Sequence, residues 1–413
     1  MVDYGFVDGA ERLEKYAPGG FHPVLVGDRI HNRYQVVDKL GHGGWSTVWL
    51  VHDAQEQRYL ALKVGVADSL PREVPVLRAL GARPEAPGFE YIPHLLDEFT
   101  VSGPNGTHPC YTTALALCNL RECSFSQLFP LDVARAMAYQ LVLAVAYVHS
   151  QNLVHGDIHL RNVLVQSQSS IDKLSISQFR QQYGEPDSYK VERRDGQPLT
   201  TNVPSFITVP LYMGKNAKEF TLQDARIVLS DFGEAYSPGT DVRLGKDCHT
   251  PVDFRPPEAL FEPHTPLSFS ADIWSLATAI WDILGMQALF SSAFYSDKQV
   301  VCQIVDILGP LHDDWYNSWK DRDEFFDDNR QPTEGRHVWP GIQQAFRNRV
   351  QKYRGEANME KLCAEEEAAF LDMMKRMLVY RPEERFTVQQ VLECDWMVKW
   401  ARSDYERSRP PQV

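Results

Sequence analysis

The residues with chemistry to offer fall in four places along the 413-residue chain, in an order that suits moving a phosphoryl group onto a hydroxyl. That transfer needs a triphosphate held in place, its charge neutralised by a metal ion and a lysine, and a hydroxyl oriented in line by a carboxylate. LGHGGWSTVWL comes first. Its Gly41 and Gly43 let backbone approach phosphates with no Cβ in the way, while the third position of a G-x-G-x-x-G pattern is Ser46. Lys63 follows in LALKV, with Glu73 as its natural ion-pair partner at a short spacing. LVHGDIHLRNVLV then sets Asp157 two residues after His155, and Asn162 five after Asp157, giving a carboxylate for the hydroxyl and an amide for a metal ion. IVLSDFGEA supplies Asp231 as the main magnesium ligand, with Phe232 packing behind it and Gly233 at the turn. A glycine-rich hairpin alone is usually only a turn, but the four motifs in this order are specific, and they imply ATP as donor and Mg²⁺ as metal.

These residues need strands before helices. YQVVDKL, STVWLVHD and RYLALKV read as strands around the glycine turn. PREVPVLRAL reads as a short helix that tolerates Pro71 in its first turn, starting late enough to bring Glu73 near Lys63. YIPHLLDEFTV and HPCYTTALAL are two more strands around GPNG. The texture then turns helical: LDVARAMAYQLVLAVAYVHSQ and FSADIWSLATAIWDILG are apolar enough to be core helices, and two later segments are amphipathic. The pattern implies an α+β, two-lobed architecture. Residues 1–33 form an N-terminal extension, 34–117 a strand-rich small lobe, 118–402 a helical lobe with insertions at 166–226 and 309–360, and 403–413 a tail.

Composition limits the alternatives. Hydrophobic residues at 43% and charged residues at 23% are ordinary for a soluble globular protein. No apolar run reads as a membrane span, and the first residues lack a signal peptide's basic start. The seven cysteines are scattered without metal-ligand spacing, as in a cytoplasmic or nuclear protein. A net charge of −13 argues against direct nucleic-acid binding and is compatible with attracting a basic peptide, although acidity for solubility alone is the plainer explanation. A monomer is expected.

The order of motifs resembles the kinase fold, which two classes share. Small-molecule phosphotransferases of the aminoglycoside and choline type often carry H-G-D-x-H-x-x-N, which His155, Gly156, Asp157, Ile158, His159 and Asn162 fit. Three later elements resemble protein kinases instead. Glu258 in FRPPEAL resembles the glutamate closing an activation segment, Asp272 in SADIWSLA the aspartate that tethers the catalytic loop, and Arg385 in RPEERFT the arginine that pairs with that glutamate. GGFHPVLVGDRIHNRYQVVDKLGHGGWSTVWLVHD and HLLDEFTVSGPNGTHPC are similar to the small lobe of SR-protein-specific kinases, as a divergent fungal-type member. The resemblance runs from about Gly20 to Trp400 and implies a serine/threonine protein kinase acting on Arg/Ser-rich, splicing-related proteins.

It further implies catalytic roles for Asp157, Lys63, Glu73 and His159, metal binding by Asn162 and Asp231, and support from Glu258, Asp272 and Arg385. ATP contacts would come from Leu40, Gly41, Gly43, Val48, Ala61, Lys63, Thr113, Leu115 and Leu164, with Thr113 as gatekeeper and Ala114 to Ala116 as hinge. Two departures stand out. His159 replaces the lysine that would touch the γ-phosphate, so either Arg161 or another cation substitutes or turnover is low, and a weakly active scaffold stays open. Gly156 replaces the arginine that binds a phosphorylated activation loop, which implies constitutive competence. The acidic, aromatic stretch Asp313 to Arg330 falls where the family docks Arg-Ser peptides. Asp313, Asp314, Asp327 and Asp328 are the docking candidates, with a solvated surface helix as the alternative.

Overall fold

Alternating side chains from Arg29 onward build a six-stranded antiparallel sheet, in a computed structural model that describes residues 4–67, 69, 72–167 and 170–409. The strands are β1 (Arg29–Ile30), β2 (Tyr34–His42), β3 (Ser46–Asp53), β4 (Arg58–Gly65), β5 (Asp97–Gly103) and β6 (Gly106–Ala114), in spatial order β1-β2-β3-β4-β6-β5. Side chains on a strand alternate between faces. One face buries Val36, Trp49, Val51, Leu60, Leu62, Val64 and Cys110. The other carries Val48, Ala61, Lys63, Tyr111 and Thr113, all half-buried. Helix α1 (Glu73–Leu80) starts at Glu73 itself, and Pro71 lies outside the described residues.

The chain divides into two compact units, one comprising Met1–Ala82, Pro93–Cys118 and Gln166–Gly214, the other Arg83–Ile92, Asn119–Val165 and Lys215–Val413. This differs from the sequence reading, which placed 166–226 within the helical lobe. Residues 166–214 gather instead with the strand-rich unit. Their helix Ile176–Tyr183, closed by a Ser175–Gln178 capping box, is amphipathic and too short to bury its apolar side alone. Phe179, Ile171 and Met213 bury that side against Val37, Leu50, Tyr59 and Leu115. The N-terminal extension is likewise part of this unit: Tyr4, Leu13, Tyr16 and Phe21 share a cluster with Val66, Val191, Val203 and Ile207.

In the second unit the helix Leu131–Ser150 is, by length and composition, apolar enough to cross a membrane, contrary to the sequence expectation that no run qualifies. Most of its apolar residues, among them Met137, Leu141, Val145 and Val148, are fully buried inside this unit. Arg135 on this helix forks onto Glu366 at 2.8 and 2.6 Å and reaches Asp404 at 3.2 Å. The segment read as a tail is helical over Arg402–Ser408, and Tyr405 stacks on Tyr139 with ring centroids 4.7 Å apart. The other main core helix, Phe269–Leu284, is buried along nearly its whole length.

Arg385 ties the start of the Glu258–Phe261 helix to the C-terminal part of this unit. Its guanidinium donates to both Glu258 oxygens at 2.7 and 2.5 Å, and to the carbonyls of Val379, Tyr380 and Ser270. Both side chains are almost inaccessible to solvent. A buried pair of this kind adds little over an apolar replacement, but removing one partner strands a charge. Arg385→Ala should therefore cost about 3–5 kcal/mol in urea unfolding. The double replacement Arg385→Met with Glu258→Leu should recover much of that loss.

Candidate active site

The first unit holds the phosphate-facing candidates in one row. Gly41 on β2 stands opposite Val48 on β3, and Val48 opposite Lys63 on β4. Ala61, two residues before Lys63, is paired with Thr113 on β6. Lys63 Nζ donates to Glu73 Oε2 at 2.6 Å, so the short spacing is bridged because α1 begins at the glutamate. Leu40 is half-buried at the edge of the cluster that the insertion completes. A Cβ at Gly41, Gly43 or Gly44 would meet nothing within 4 Å, and none of the three has a positive φ. Neither packing nor backbone conformation demands glycine there, and the turn's backbone is open to close approach. Leu115, read from sequence as an ATP contact, is buried in the cluster that Leu40 borders, and its carbonyl accepts from Ser167 N at 3.1 Å.

The second unit builds its site around a buried carboxylate. Asp272, early in the Phe269–Leu284 helix, accepts from His155 N at 2.7 Å, Gly156 N at 2.9 Å and His149 Nε2 at 3.0 Å. Burial alone would raise its pKa, but His149, His155 and the loop amides outweigh burial and hold it below the usual carboxylate range. The loop it grips turns at Gly156, where φ is +78° and a Cβ would lie 3.0 Å from the Glu234 carbonyl oxygen. No other residue fits there without strain. Thr250 Oγ1 donates to the Gly156 carbonyl at 2.6 Å, a contact the sequence spacing left unassigned.

Asp157 follows. Its Oδ2 accepts from Asn162 Nδ2 at 3.1 Å, and the same amide nitrogen reaches the Asp157 carbonyl at 2.9 Å. Its Oδ1 is buried with no hydrogen-bond partner and lies 3.4 Å from His159 Nε2. His159 is buried against Phe254, ring centroids 5.5 Å apart, and its Nδ1 is also unsatisfied. The imidazole therefore sits beside the carboxylate, while Arg161 is exposed. The strand Val163–Gln166, which carries Leu164, pairs with Ile227–Leu229 and brings the segments ending at Asn162 and starting at Asp231 together across the insertion. Ser230 completes the link, donating N–H to the Asn162 carbonyl at 2.7 Å. Asp231 itself adopts a left-handed conformation, φ 63°, uncommon for a non-glycine residue, and Phe232 behind it packs on His155 at 4.7 Å.

Among the described residues no cluster of three or more His, Cys, Asp and Glu side chains is suited to holding a metal by itself. Magnesium rarely uses such a cage. It is held by one or two protein oxygens together with phosphates and water. Asn162, with its amide nitrogen committed to Asp157, and Asp231 suit that role, and the two unsatisfied buried atoms beside them mark a place for a polar ligand.

Three further acidic residues, Glu234, Asp253 and Asp282, were not found from sequence. Glu234 binds Arg243 at 2.7 Å and His249 at 2.9 Å, so the segment after Asp231 is held by the chain's own charges. Asp253 and Asp282 each bury an oxygen with no partner. Burial, with the charge of Asp253 adding to it and that of Arg121 opposing it, pushes the Asp282 carboxyl up to about 7. The signal available was a charge inside an otherwise apolar helix, WDILG. The docking candidates are mostly engaged: Asp313 with Arg330 at 2.8 Å, Asp314 with Arg381 at 2.6 Å, and Asp327 with the backbone N–H groups of Asn329 and Gln331. Asp328 is exposed. The stretch packs through Trp315, Tyr316, Trp319 and Phe326, which are buried.

Comparison with known proteins agrees with this reading. Residues 218–397 match the protein kinase domain family, and 116–200 match the protein tyrosine and serine/threonine kinase family. A serine/threonine protein kinase of Aspergillus fumigatus is 28% identical over 402 residues, covering 94% of this chain and 90% of that protein. Protein kinase dsk1 of Schizosaccharomyces pombe is 36% identical over 166 residues, 38% of this chain and 30% of that protein. Human SRSF protein kinase 3 is 34% identical over 165 residues, 38% of this chain and 29% of that protein. A crystal structure of a kinase domain matches with TM-score 0.60 at 15% identity, covering 91% of this chain and 98% of that one. With its protein-kinase fold and a serine/threonine kinase relative along nearly its full length, the chain is similar to the serine/threonine protein kinases, with SRSF-type kinases among its relatives.

Proposed function

We propose that this kinase phosphorylates serine or threonine hydroxyls in basic, Arg/Ser-rich proteins, with Asp157 receiving the hydroxyl and Asp253 and Asp282 reading a nearby guanidinium. The observation that carries the substrate reading is the pair of buried, unpartnered carboxyl oxygens on Asp253 and Asp282. Asp253 precedes Phe254, whose ring lies on His159 beside Asp157. A planar guanidinium supplies several donors to such a site, where a lone ammonium supplies one point charge. Asp313 and Asp314 support the same reading, since they already hold guanidinium groups of the chain that an arginine-rich peptide would exchange for its own. The relatives named as SRSF and dsk1 kinases are a further support.

In this reading each group has one task. Asn162 holds Asp157 so that Oδ1 faces the incoming hydroxyl, which donates its O–H to that oxygen. His159 Nε2 lies 3.4 Å from the same oxygen and sits beside the carboxylate. Asn162 and Asp231 are to hold magnesium, and Lys63, fixed by Glu73, is to hold phosphates of the nucleotide. Bound Mg·ATP supplies the phosphoryl group and neutralises the charge on it. Thr250 pins the substrate-side loop to the Gly156 carbonyl. Glu234 with Arg243 and His249 supplies internally the charge contacts that a phosphorylated loop would otherwise make, which favours activity without loop phosphorylation.

Four measurements check this. With γ-labelled ATP and Mg²⁺, Asp157→Ala should lower kcat by about 10²–10⁴ on an Arg/Ser peptide, and transfer to small amines or sugars should be absent in the native enzyme. Asp282→Asn and Asp253→Asn should raise KM for the Arg/Ser peptide and spare a neutral serine peptide. Because the bound guanidinium needs the ionised carboxyl, KM for the basic peptide should fall as pH rises through about 7, and Asp282→Asn should flatten that dependence. Phosphatase-treated enzyme should keep its activity, whereas Arg243→Ala should lose most of it.

A further inference from the structure

The N-terminal extension lies outside the motifs that carry the chemistry, yet within the first unit it reaches the glycine-rich turn through a buried charge. Lys39 sits on β2 immediately before Leu40 and Gly41, and its side chain is fully buried. Its cross-strand partner is Trp49, and Nζ lies 5.1 Å from that ring. The register of β2 against β3 slips between Lys39 and Gly41, so the strand bulges beside this residue, shortly before the turn. A lysine here needs a counter-charge, and none of the strands supplies it. Glu11 does: it accepts from Lys39 Nζ and from the Tyr16 hydroxyl, and its own side chain is 2% exposed. Burial opposes ionisation of Glu11, but the lysine's charge and the hydrogen bonds outweigh it, so the carboxyl stays below the usual range.

Two other contacts from the same segment, and one from the insertion, converge on the turn and the strand that leads into it. The His42 ring meets the Gly9 carbonyl at 3.1 Å, Lys15 Nζ reaches the Gly44 carbonyl at 3.4 Å, and Leu211 of the insertion donates N–H to the Lys39 carbonyl at 2.8 Å. The segment is itself shaped for this. A Cβ on Gly20 would fall 1.9 Å from the Lys15 carbonyl oxygen, and Phe21 N donates to that same oxygen at 3.0 Å. Phe21 anchors the end of the loop in the cluster with Tyr16, Val66 and Ile207.

We propose that Glu11 is a positioning residue for nucleotide binding: through Lys39 it braces the Gly41–Gly44 turn from the N-terminal extension, fixing where the turn's backbone meets the phosphates. The proposal rests on the reading of that turn as phosphate-facing. Neutralising Glu11 removes the counter-charge of a buried lysine whose pKa burial already lowers; Lys39 must then give up its proton or move outward with the turn attached to it, and either change alters how the turn is held. The nucleotide then meets a turn that must be reordered on binding, which weakens binding without touching the reacting groups.

The test uses the full chain, with Mg·ATP and an Arg/Ser peptide varied separately. Glu11→Gln should raise KM for ATP roughly fivefold or more, with kcat at saturating ATP and KM for the peptide changed by less than about twofold. Glu11→Leu combined with Lys39→Met removes both charges and should bring KM for ATP back to within about twofold of the native value. If Glu11→Gln does not accumulate as folded protein, Glu11→Asp keeps the charge at shorter reach and should show the same selectivity at about twofold amplitude. An unchanged KM for ATP in folded Glu11→Gln overturns the brace, as does a double variant that stays as impaired as the single one. Gly43→Val separates the two readings. It should raise KM for ATP. If it does not, the phosphate-facing turn fails and the brace with it, whereas failure of Glu11→Gln alone overturns only the brace.

Discussion

The catalytic half of this kinase depends on one buried carboxylate. Asp272 sits inside an apolar helix where an ionised group has no business unless it is fully paired, and the loop around Asp157 provides the pairing: two backbone N–H groups and His149. The dependence is mutual. The loop's amides have no strand or helix to satisfy them, and the helix's charge has no solvent. Each removes the other's desolvation cost, so the loop has a single conformation available. Gly156 follows from it, since the grip forces a positive φ and presses that residue against Glu234. Thr250 then closes the loop from the far side. Asp157 is presented by this frame and makes few contacts of its own.

The charges of the molecule sort into two kinds by whether their bonding is complete. Arg385 with Glu258, Arg135 with Glu366 and Asp404, and Lys39 with Glu11 are buried or half-buried pairs whose oxygens are filled. They tie distant segments of one unit together and leave nothing over for a ligand. Asp157, Asp253 and Asp282 each keep a buried oxygen with no donor. Protein interiors seldom leave such atoms unmet, so those that persist point to something that arrives from outside. The distinction separates the acidic residues that complete their own pairing from those that the proposed function assigns to a ligand.

It also reorders the acidic residues of the sequence reading. The run from Asp313 to Asp328 is conspicuous because its charges are adjacent in the chain, yet most of them are bound to the chain's own arginines and amides. Asp253 and Asp282 are separated by almost thirty residues and belong to no motif. Only the packing of the loop against the helix makes them neighbours and raises the pKa of Asp282.

Much of the site was legible because its chemistry is local. A glycine turn between strands, a lysine on the next strand, a carboxylate with an amide five residues on, and an aspartate before Phe-Gly are short spacings that backbone geometry alone enforces. Binary pattern likewise separated the strand-rich part from the helical part, because periodicity follows from local backbone geometry. What the chain could not say for itself was which surface each extra segment would cover. The amphipathic helix at Ile176–Tyr183 and the apolar residues of the first two dozen positions have faces to bury, and their destination depends on which complementary surface remains uncovered after the sheet forms. Leu115 became core, Lys39 acquired Glu11, and one oxygen of Asp282 was left without a hydrogen-bond partner for the same reason. Burial and pairing are properties of three-dimensional proximity, and proximity between residues far apart in the chain is decided only when the whole unit packs.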